Sequence, residues 1–142
     1  MKNRQKFEEG GSGAMAVNDY LIDTNILIYH TAGDRESVDF LRKVIRMKSF
    51  HISILTKIEF LGWDKHTIEG FEKCKRLVEQ ANILMIDNII ADKTIDLKKN
   101  KRMKLADAII AATAIVNNLT PVIRNTGDFK LAGLSILDPF SE

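Results

Sequence analysis

The sequence predicts an α/β fold built on a mainly parallel sheet of four to five strands. Two observations support this prediction. From Val17 onward, short β-rich runs alternate with helical stretches, which is the pattern of strands joined by helical crossovers. The segment 106–118 is apolar almost all round, which indicates a helix buried inside the fold rather than one lying on its surface.

Each element follows from its local pattern. Short apolar runs predict strands at residues 17–22, 50–54, 83–86 and 120–123, with a short fifth strand at 134–137. Helices are predicted at residues 34–48, 56–63, 68–80, 89–99 and 106–118. The break between the second and third predicted helices falls near Gly62. Asp23-Thr24-Asn25, which follows the first strand, is interpreted as a turn. In helix 89–99 we expect Ile90, Ile95 and Leu97 to face the core.

Length and composition favour one soluble domain. The chain has 142 residues, of which 45% are hydrophobic and 28% charged, with a net charge of +2. The single cysteine, Cys74, excludes an internal disulfide framework and a multi-cysteine zinc site. The longest apolar stretch, 108–116, is far shorter than the roughly 20 residues of a membrane helix. No secretory signal opens the chain, so we expect a cytoplasmic protein.

The first fourteen residues differ from the rest. Residues 10–13 (GGSG) have the composition of a flexible linker. We interpret residues 1–14 as a flexible extension introduced by cloning and residues 15–142 as the domain. A second interpretation is that the linker tethers a short peptide carrying Arg4, Lys6 and Phe7.

Four acidic residues follow the predicted strands or open a predicted helix. Asp23 comes directly after the first strand and Asp128 after the fourth, while Asp107 opens the buried helix. Caps and turns are ordinary roles for each of these aspartates. Glu59 differs, because its i−4 and i+4 neighbours are Leu55 and Trp63, which places it on an apolar face. Ligands of open α/β sheets bind outside the carboxyl ends of the strands, so we expect the four carboxylates to converge there.

Converging carboxylates need a neutralising partner. Two unit charges 4 Å apart cost about 4 kcal/mol at an effective dielectric of 20. Protonation is one solution, and a hard divalent cation is the other; oxygen ligands without histidine or cysteine suit Mg²⁺ or Mn²⁺. Such ions serve phosphoryl chemistry. Five cations between Lys98 and Lys104 form either a solvated surface or a phosphate-contacting strip.

Four sequence blocks resemble those of the PIN-domain ribonucleases, and most closely the VapC-type toxins of bacterial toxin–antitoxin pairs. The blocks are residues 21–28 (LIDTNILI), 53–62 (SILTKIEFLG), 104–114 (KLADAIIAATA) and 124–129 (RNTGDF), followed by 137–139 (LDP). The resemblance spans residues 20–139. It implies an α/β/α sandwich and a Mg²⁺- or Mn²⁺-dependent endoribonuclease that hydrolyses RNA phosphodiester bonds.

The resemblance also implies roles for individual residues. Asp23, Glu59 and Asp107 match three acidic positions of the family, and either Asp128 or Asn125 fills the fourth. Asp23, Asp107 and Asp128 would hold the metal, and Glu59 would orient or deprotonate water or hold a second metal. Thr24 and Asn125 are expected to give polar support.

The implied partners are a structured RNA, such as transfer or ribosomal RNA, a cognate antitoxin protein and a second copy of the chain. The alternative function is a catalytically degenerate PIN-fold module that binds RNA or protein. An aspartyl phosphatase fits less well, because Asn25 stands where that chemistry usually has a second acid. We interpret His51, Trp63 and Cys74 as packing residues.

Overall fold

The computed structural model describes residues 19–123. In chain order the elements are β1 (Tyr20–Ile22), α1 (Thr24–Thr31), α2 (Arg35–Arg46), β2 (Phe50–Ser53), α3 (Ile54–Leu61), α4 (Ile68–Val78), β3 (Asn82–Leu84), α5 (Asn88–Lys101), α6 (Leu105–Asn117) and β4 (Thr120–Val122). Strands therefore alternate with pairs of helices. The sequence predicts the alternation but only one of the two helices between β1 and β2, because α1 is missed. None of the helices in this range is long and apolar enough to cross a membrane.

The four strands form one parallel sheet in the order β3-β2-β1-β4. The chain steps outward from β1 through β2 to β3, and then returns to the opposite side of β1 for β4. The direction of winding thus reverses between β1 and β4. In open α/β sheets, this reversal leaves a crevice at the carboxyl ends of the two strands, where ligands bind.

Helices cover both faces of the sheet, because successive strand residues point to opposite sides. Ile22 packs into a core cluster with Ile26, Leu41 and Phe60 from the helices α1, α2 and α3, a cluster that also takes residues from α4. The preceding residue, Leu21, packs into a separate cluster built by α5 and α6. This layering is an α/β/α sandwich, which confirms the fold class implied by the resemblance.

Helix α6 is the most enclosed helix, as its sequence indicates. Ala108, Ala111 and Ala112 have no exposed surface, and Thr113, also fully buried, donates its hydroxyl proton to the carbonyl of Ile109 at 2.7 Å. Small side chains let α6 lie close to the sheet, and the internal bond satisfies the one buried hydroxyl among them.

Some predicted details are wrong. Ile95 is 55% exposed, because the buried stripe of α5 runs through Ile90, Thr94 and Leu97 and leaves Ile95 on the other side. Asp23-Thr24-Asn25 is not a turn: α1 begins at Thr24, since short polar side chains favour first turns of helices as well as turns.

Two boundaries also shift. The third strand ends at Leu84, and the predicted strand residues 85–86 are exposed. Helix α3 starts at Ile54, which the sequence assigned to the second strand, because Ser53 caps the helix directly at the end of β2. The predicted fifth strand at 134–137 lies outside the described residues, as does the division of the chain at residue 14.

Candidate functional site

The candidate site lies at the crevice between β1 and β4. Asp23 is the first residue beyond β1, and its backbone N–H donates to the carbonyl of Val122 at 3.1 Å. This bond ties the residue after β1 to the end of β4. Asp23 therefore stands at the point where the direction of winding reverses, as the sequence predicts.

Asp23 occupies the N-cap position of α1 without serving as its cap. The side chains of Asp34, Ser53, Thr67 and Asp87 each accept a backbone N–H of the helix that they precede. Asp23 forms no such capping bond. Its carboxylate interacts with the N–H groups of Thr24 and Asn25 at the start of α1, but without the hydrogen bond that the other four residues make.

The electrostatic setting of Asp23 favours its protonated form. Burial raises the pKa of this carboxyl above its ordinary value and is the largest influence on it. The N–H groups of Thr24 and Asn25 lower the pKa in part, and the negative charge of Glu59, the smallest influence, raises it. A bound cation would relieve both the burial of the charge and the repulsion between the carboxylates.

Glu59 reaches the same place from a different helix. Its Oε1 accepts a hydrogen bond of 2.7 Å from the hydroxyl of Thr24, the residue after Asp23. Glu59 is exposed, although the sequence places it on an apolar face, because that face of α3 is itself open: Trp63 is 56% exposed. The interpretation of Trp63 as a packing residue is therefore wrong, whereas Cys74 is buried as expected.

The end of α3 that carries Glu59 is held by residues beyond the helix. Gly62 ends the helix, and its N–H donates to the carbonyl of Ile58 at 2.8 Å. The Nε2 of His66 lies 2.8 Å from the carbonyl oxygen of Phe60, one of the last carbonyls of the helix, which lack partners within it. These contacts fix the turn of α3 from which Glu59 projects.

Asp107 lies in the first turn of α6, three residues after the N-cap residue Lys104. Because α6 leads directly into β4 and covers the sheet, it returns the chain from the carboxyl edge to the start of that strand. Its first turn is thereby directed toward the edge where Asp23 lies. Asp107 also has a polar interaction within the structure.

Asp128 and Asn125, the two candidates for the fourth position, lie outside the described residues. Within residues 19–123, no three acidic, histidine or cysteine side chains are close enough together to hold a metal ion. What this range brings together is the pair Asp23 and Glu59. That donor set still fits Mg²⁺, which is commonly bound through one or two carboxylates together with water and substrate phosphates.

The cationic strip between Lys98 and Lys104 joins α5 to α6. Lys98 donates to the carbonyl of Met103 at 3.3 Å, and Arg102 adopts a left-handed backbone conformation at the end of α5. Lys98 thus has a local structural role. Lys99, Lys101 and Lys104 are exposed and form no ion pair with another residue of the described part of the chain.

A cleft of about 720 Å³ opens beside Glu59, between α1, α3 and α4. Phe60, Trp63, His66 and Ile28 contribute to its walls. This cleft is not predicted from the sequence. Its only signal was the closely spaced pair Trp63 and His66, just beyond the helix that carries Glu59.

Comparison with known proteins gives the family. The PIN domain model matches residues 20–133. A toxin–antitoxin complex from Klebsiella pneumoniae contains a chain that is 32% identical, with a TM-score of 0.72, covering 87% of this chain and all of its own length. VapBC2 from Rickettsia felis bound to a DNA fragment from their promoter is 20% identical, with a TM-score of 0.71, covering 84% and 96% of the two chains.

FitAcB from Neisseria gonorrhoeae has the same fold, with 21% identity, a TM-score of 0.72 and coverage of 87% and 99% of the two chains. Among curated proteins, none matches the chain significantly. The family model covers most of the chain, and the α/β fold agrees with the resemblance seen in the sequence. The chain belongs to the PIN-domain family.

Proposed function

We propose that this chain is a Mg²⁺- or Mn²⁺-dependent endoribonuclease and the toxin of a toxin–antitoxin pair. The observation that carries the proposal is the pairing of Asp23 and Glu59 through Thr24 at the crevice between β1 and β4. Burial makes the charge of Asp23 costly, and a second carboxylate beside it adds repulsion, so the pair favours a cationic ligand.

In this proposal Asp23, Asp107 and Asp128 hold the metal, and Asn125 gives polar support. The ion, when bound, supplies positive charge to the scissile phosphate and lowers the pKa of a bound water.

Glu59 prepares the attacking water. Thr24 donates to Oε1, which leaves Oε2 available to accept a proton from water as its oxygen attacks phosphorus. The new phosphorus–oxygen bond forms as the bond to the departing ribose oxygen breaks, and that oxygen takes up a proton from solvent. Holding Glu59 in one orientation reduces the reorganisation that this step needs.

The partners proposed for the chain follow from its relatives. The Klebsiella and Rickettsia structures are complexes of a toxin with an antitoxin, and we propose a cognate antitoxin for this chain as well, with a homodimer as the assembly and the cytoplasm as the location. The proposed substrate is a structured RNA cut where nucleotides are unpaired, since unstacked nucleotides are accessible to a protein site.

The test is cleavage of an end-labelled RNA by the purified chain. We expect cleavage with Mg²⁺ or Mn²⁺, no cleavage with a chelator, and a loss of at least a hundredfold in Asp23→Asn with an unchanged circular dichroism spectrum. Metal-dependent cleavage that persists unchanged in Asp23→Asn would contradict the proposal. RNA binding without any cleavage by the wild type would favour the degenerate binding module instead.

A further inference from the structure

The cleft beside Glu59 is continuous with a second, cationic cleft. The second cleft has a volume of about 350 Å³ and shares His30, Lys73 and Leu77 with the first. Together they form a groove that starts at Glu59 and runs between the helices of one face. We call it the α-face groove, defined by the residues that line the two clefts.

The end of the groove nearest Glu59 is aromatic. The ring centroids of Trp63 and His66 lie 5.1 Å apart at an interplanar angle of 88°, and His66 makes similar edge contacts with Phe60 and Phe71. His66 is further fixed by its hydrogen bond to the carbonyl of Phe60. Trp63 is thus braced on one side and 56% exposed on the other, which leaves a flat apolar surface free to stack.

The far end of the groove is positively charged. Arg42, Lys73 and Arg76 line the second cleft, and no acidic residue does. None of the three forms an ion pair with another residue between 19 and 123. Three unpaired cations in one concave surface repel one another, and they favour an anionic occupant.

His30 lies where the two clefts meet, since it lines both of them. Burial, followed by the nearby charge of Arg42, lowers the pKa of this imidazole, so it adds no positive charge at neutral pH. At the aromatic end Lys65 partly offsets the negative charges of Glu59 and Glu69. The charge of the groove therefore rises from this end to the three cations at the other.

We propose that the α-face groove binds single-stranded RNA next to the cleaved bond, with one unpaired nucleobase stacked on Trp63 and the following phosphates held by Lys73, Arg42 and Arg76. An aromatic platform combined with a cationic track is how proteins hold single strands without pairing to them. The cleft at Trp63 has the volume of an ordinary small-molecule site, sufficient for a nucleotide. The inference rests on the proposed function, because it takes RNA as the substrate.

An acidic amphipathic protein segment is the other occupant that such a groove could take. Two features favour RNA. The groove opens directly at Glu59, where the substrate of the proposed reaction has to lie, and beside its aliphatic residues Ile28 and Leu77 it presents the exposed ring of Trp63 as a stacking surface. Its charge gradient also matches a strand with a base at the site and phosphates leading away from it.

The test uses the single tryptophan of the chain as a reporter. Oligouridylate of six nucleotides is titrated into the Asp23→Asn variant of the full chain, which binds without cutting, and the fluorescence of Trp63 is followed. We expect saturable quenching by the single strand and little quenching by a blunt RNA duplex, whose bases are already stacked. No quenching by the single strand would overturn the proposal.

Variants locate the contacts, with binding measured by anisotropy of labelled RNA. Trp63→Ala is expected to weaken binding about tenfold, while Ile95→Ala, an equally exposed apolar residue on the opposite face, leaves it unchanged. Lys73→Ala should reduce the slope of log affinity against log salt by about 0.7. Lys75→Ala, two residues along α4 and outside both clefts, should not.

The outcomes separate this inference from the proposed function. Quenching together with an absence of cleavage by the wild type would leave the groove assignment intact and refute the nuclease. RNA cleavage by the wild type, combined with equal RNA affinity of Trp63→Ala and the wild type, would support the nuclease and refute the groove assignment. If an acidic amphipathic peptide quenches Trp63 and oligouridylate does not, the groove is a protein-docking surface and the inference is wrong.

Discussion

The hydroxyl of Thr24 donates a 2.7 Å hydrogen bond to Oε1 of Glu59, which lies 35 residues further along the chain. Thr24 opens α1 directly after Asp23, and Glu59 lies near the end of α3. This bond joins two crossover helices at the carboxyl edge of the sheet and brings a second carboxylate beside the first. The proposed chemistry depends on it.

Removing the Thr24 hydroxyl tests whether this bond positions Glu59. A hydrogen bond to a charged group contributes about 1.5–3 kcal/mol, and the exposure of this pair places its effect at the lower end. Thr24→Val should therefore lower the rate of RNA cleavage about tenfold in single-turnover assays, with little change in melting temperature. Thr24→Ser, which keeps the hydroxyl, should restore most of the rate. Equal rates in the valine and serine variants would exclude this role.

The burial of Asp23 predicts a conflict between stability and function. Because the pKa of this carboxyl is raised above its ordinary value of 3.8, the folded state binds a proton more readily than the unfolded state. Stability therefore falls as the pH rises from about 3.8 through the raised pKa, and it stays lower at neutral pH. Without divalent ions at pH 7, Asp23→Asn should melt at a higher temperature than the wild type.

The higher melting temperature expected for Asp23→Asn should depend on pH, and this dependence is the control for its cause. Below pH 3.8 the aspartate is neutral in both the folded and the unfolded states, so the advantage of Asp23→Asn should disappear in melting curves recorded there. An asparagine variant that is less stable than the wild type at pH 7 would show that the carboxylate contributes stabilising contacts instead.

Divalent ions should stabilise the folded protein. An ion that binds only the folded state adds about 2.7 kcal/mol at a hundredfold excess over its dissociation constant, so Mg²⁺ should raise the melting temperature of the wild type. We expect the increase to shrink in Asp107→Asn and to stay intact in Asp92→Asn, an exposed aspartate on α5. A similar increase in both variants would remove Asp107 from the metal site.

Gly62 should matter for stability and for the position of Glu59 alike. A Cβ added there would lie 2.5 Å from the carbonyl oxygen of Ile58, so the end of α3 has to shift. Gly62→Ala is expected to lower the free energy of unfolding by about 1–3 kcal/mol and to slow cleavage. An unaffected Gly62→Ala protein would contradict this account of the end of α3.

The sequence predicts most of the fold because its signals are local. Alternating apolar runs locate the strands, the all-round apolarity of 106–118 locates the buried helix, and Gly62 marks a helix end. The prediction that Ile95 faces the core is wrong for a physical reason. Thr94 and Leu97 define the buried stripe of α5, and a buried threonine is hard to anticipate from hydropathy. Its hydroxyl is satisfied by the carbonyl of Ile90 within the same helix.

The site is predictable only in part. The position of Asp23 follows from the rule that ligands of open α/β sheets bind at the carboxyl ends of the strands, because Asp23 comes directly after β1; the meeting of Asp107 with it stays a prediction. The bond between Thr24 and Glu59 depends on how α1 packs against α3, and no local pattern contains that geometry. The exposure of Glu59 and Trp63 has the same origin, because α4 and α1 leave this face of α3 uncovered.

The central claim is that the carboxylates at the crevice between β1 and β4 share a divalent ion. Electron paramagnetic resonance of Mn²⁺ in the presence of the folded protein measures this directly, since bound Mn²⁺ loses the sharp signal of the free ion. We expect saturable binding by the wild type, and binding at least tenfold weaker in Asp23→Asn at the same pH and salt. Equal Mn²⁺ affinity in the two proteins would contradict the account.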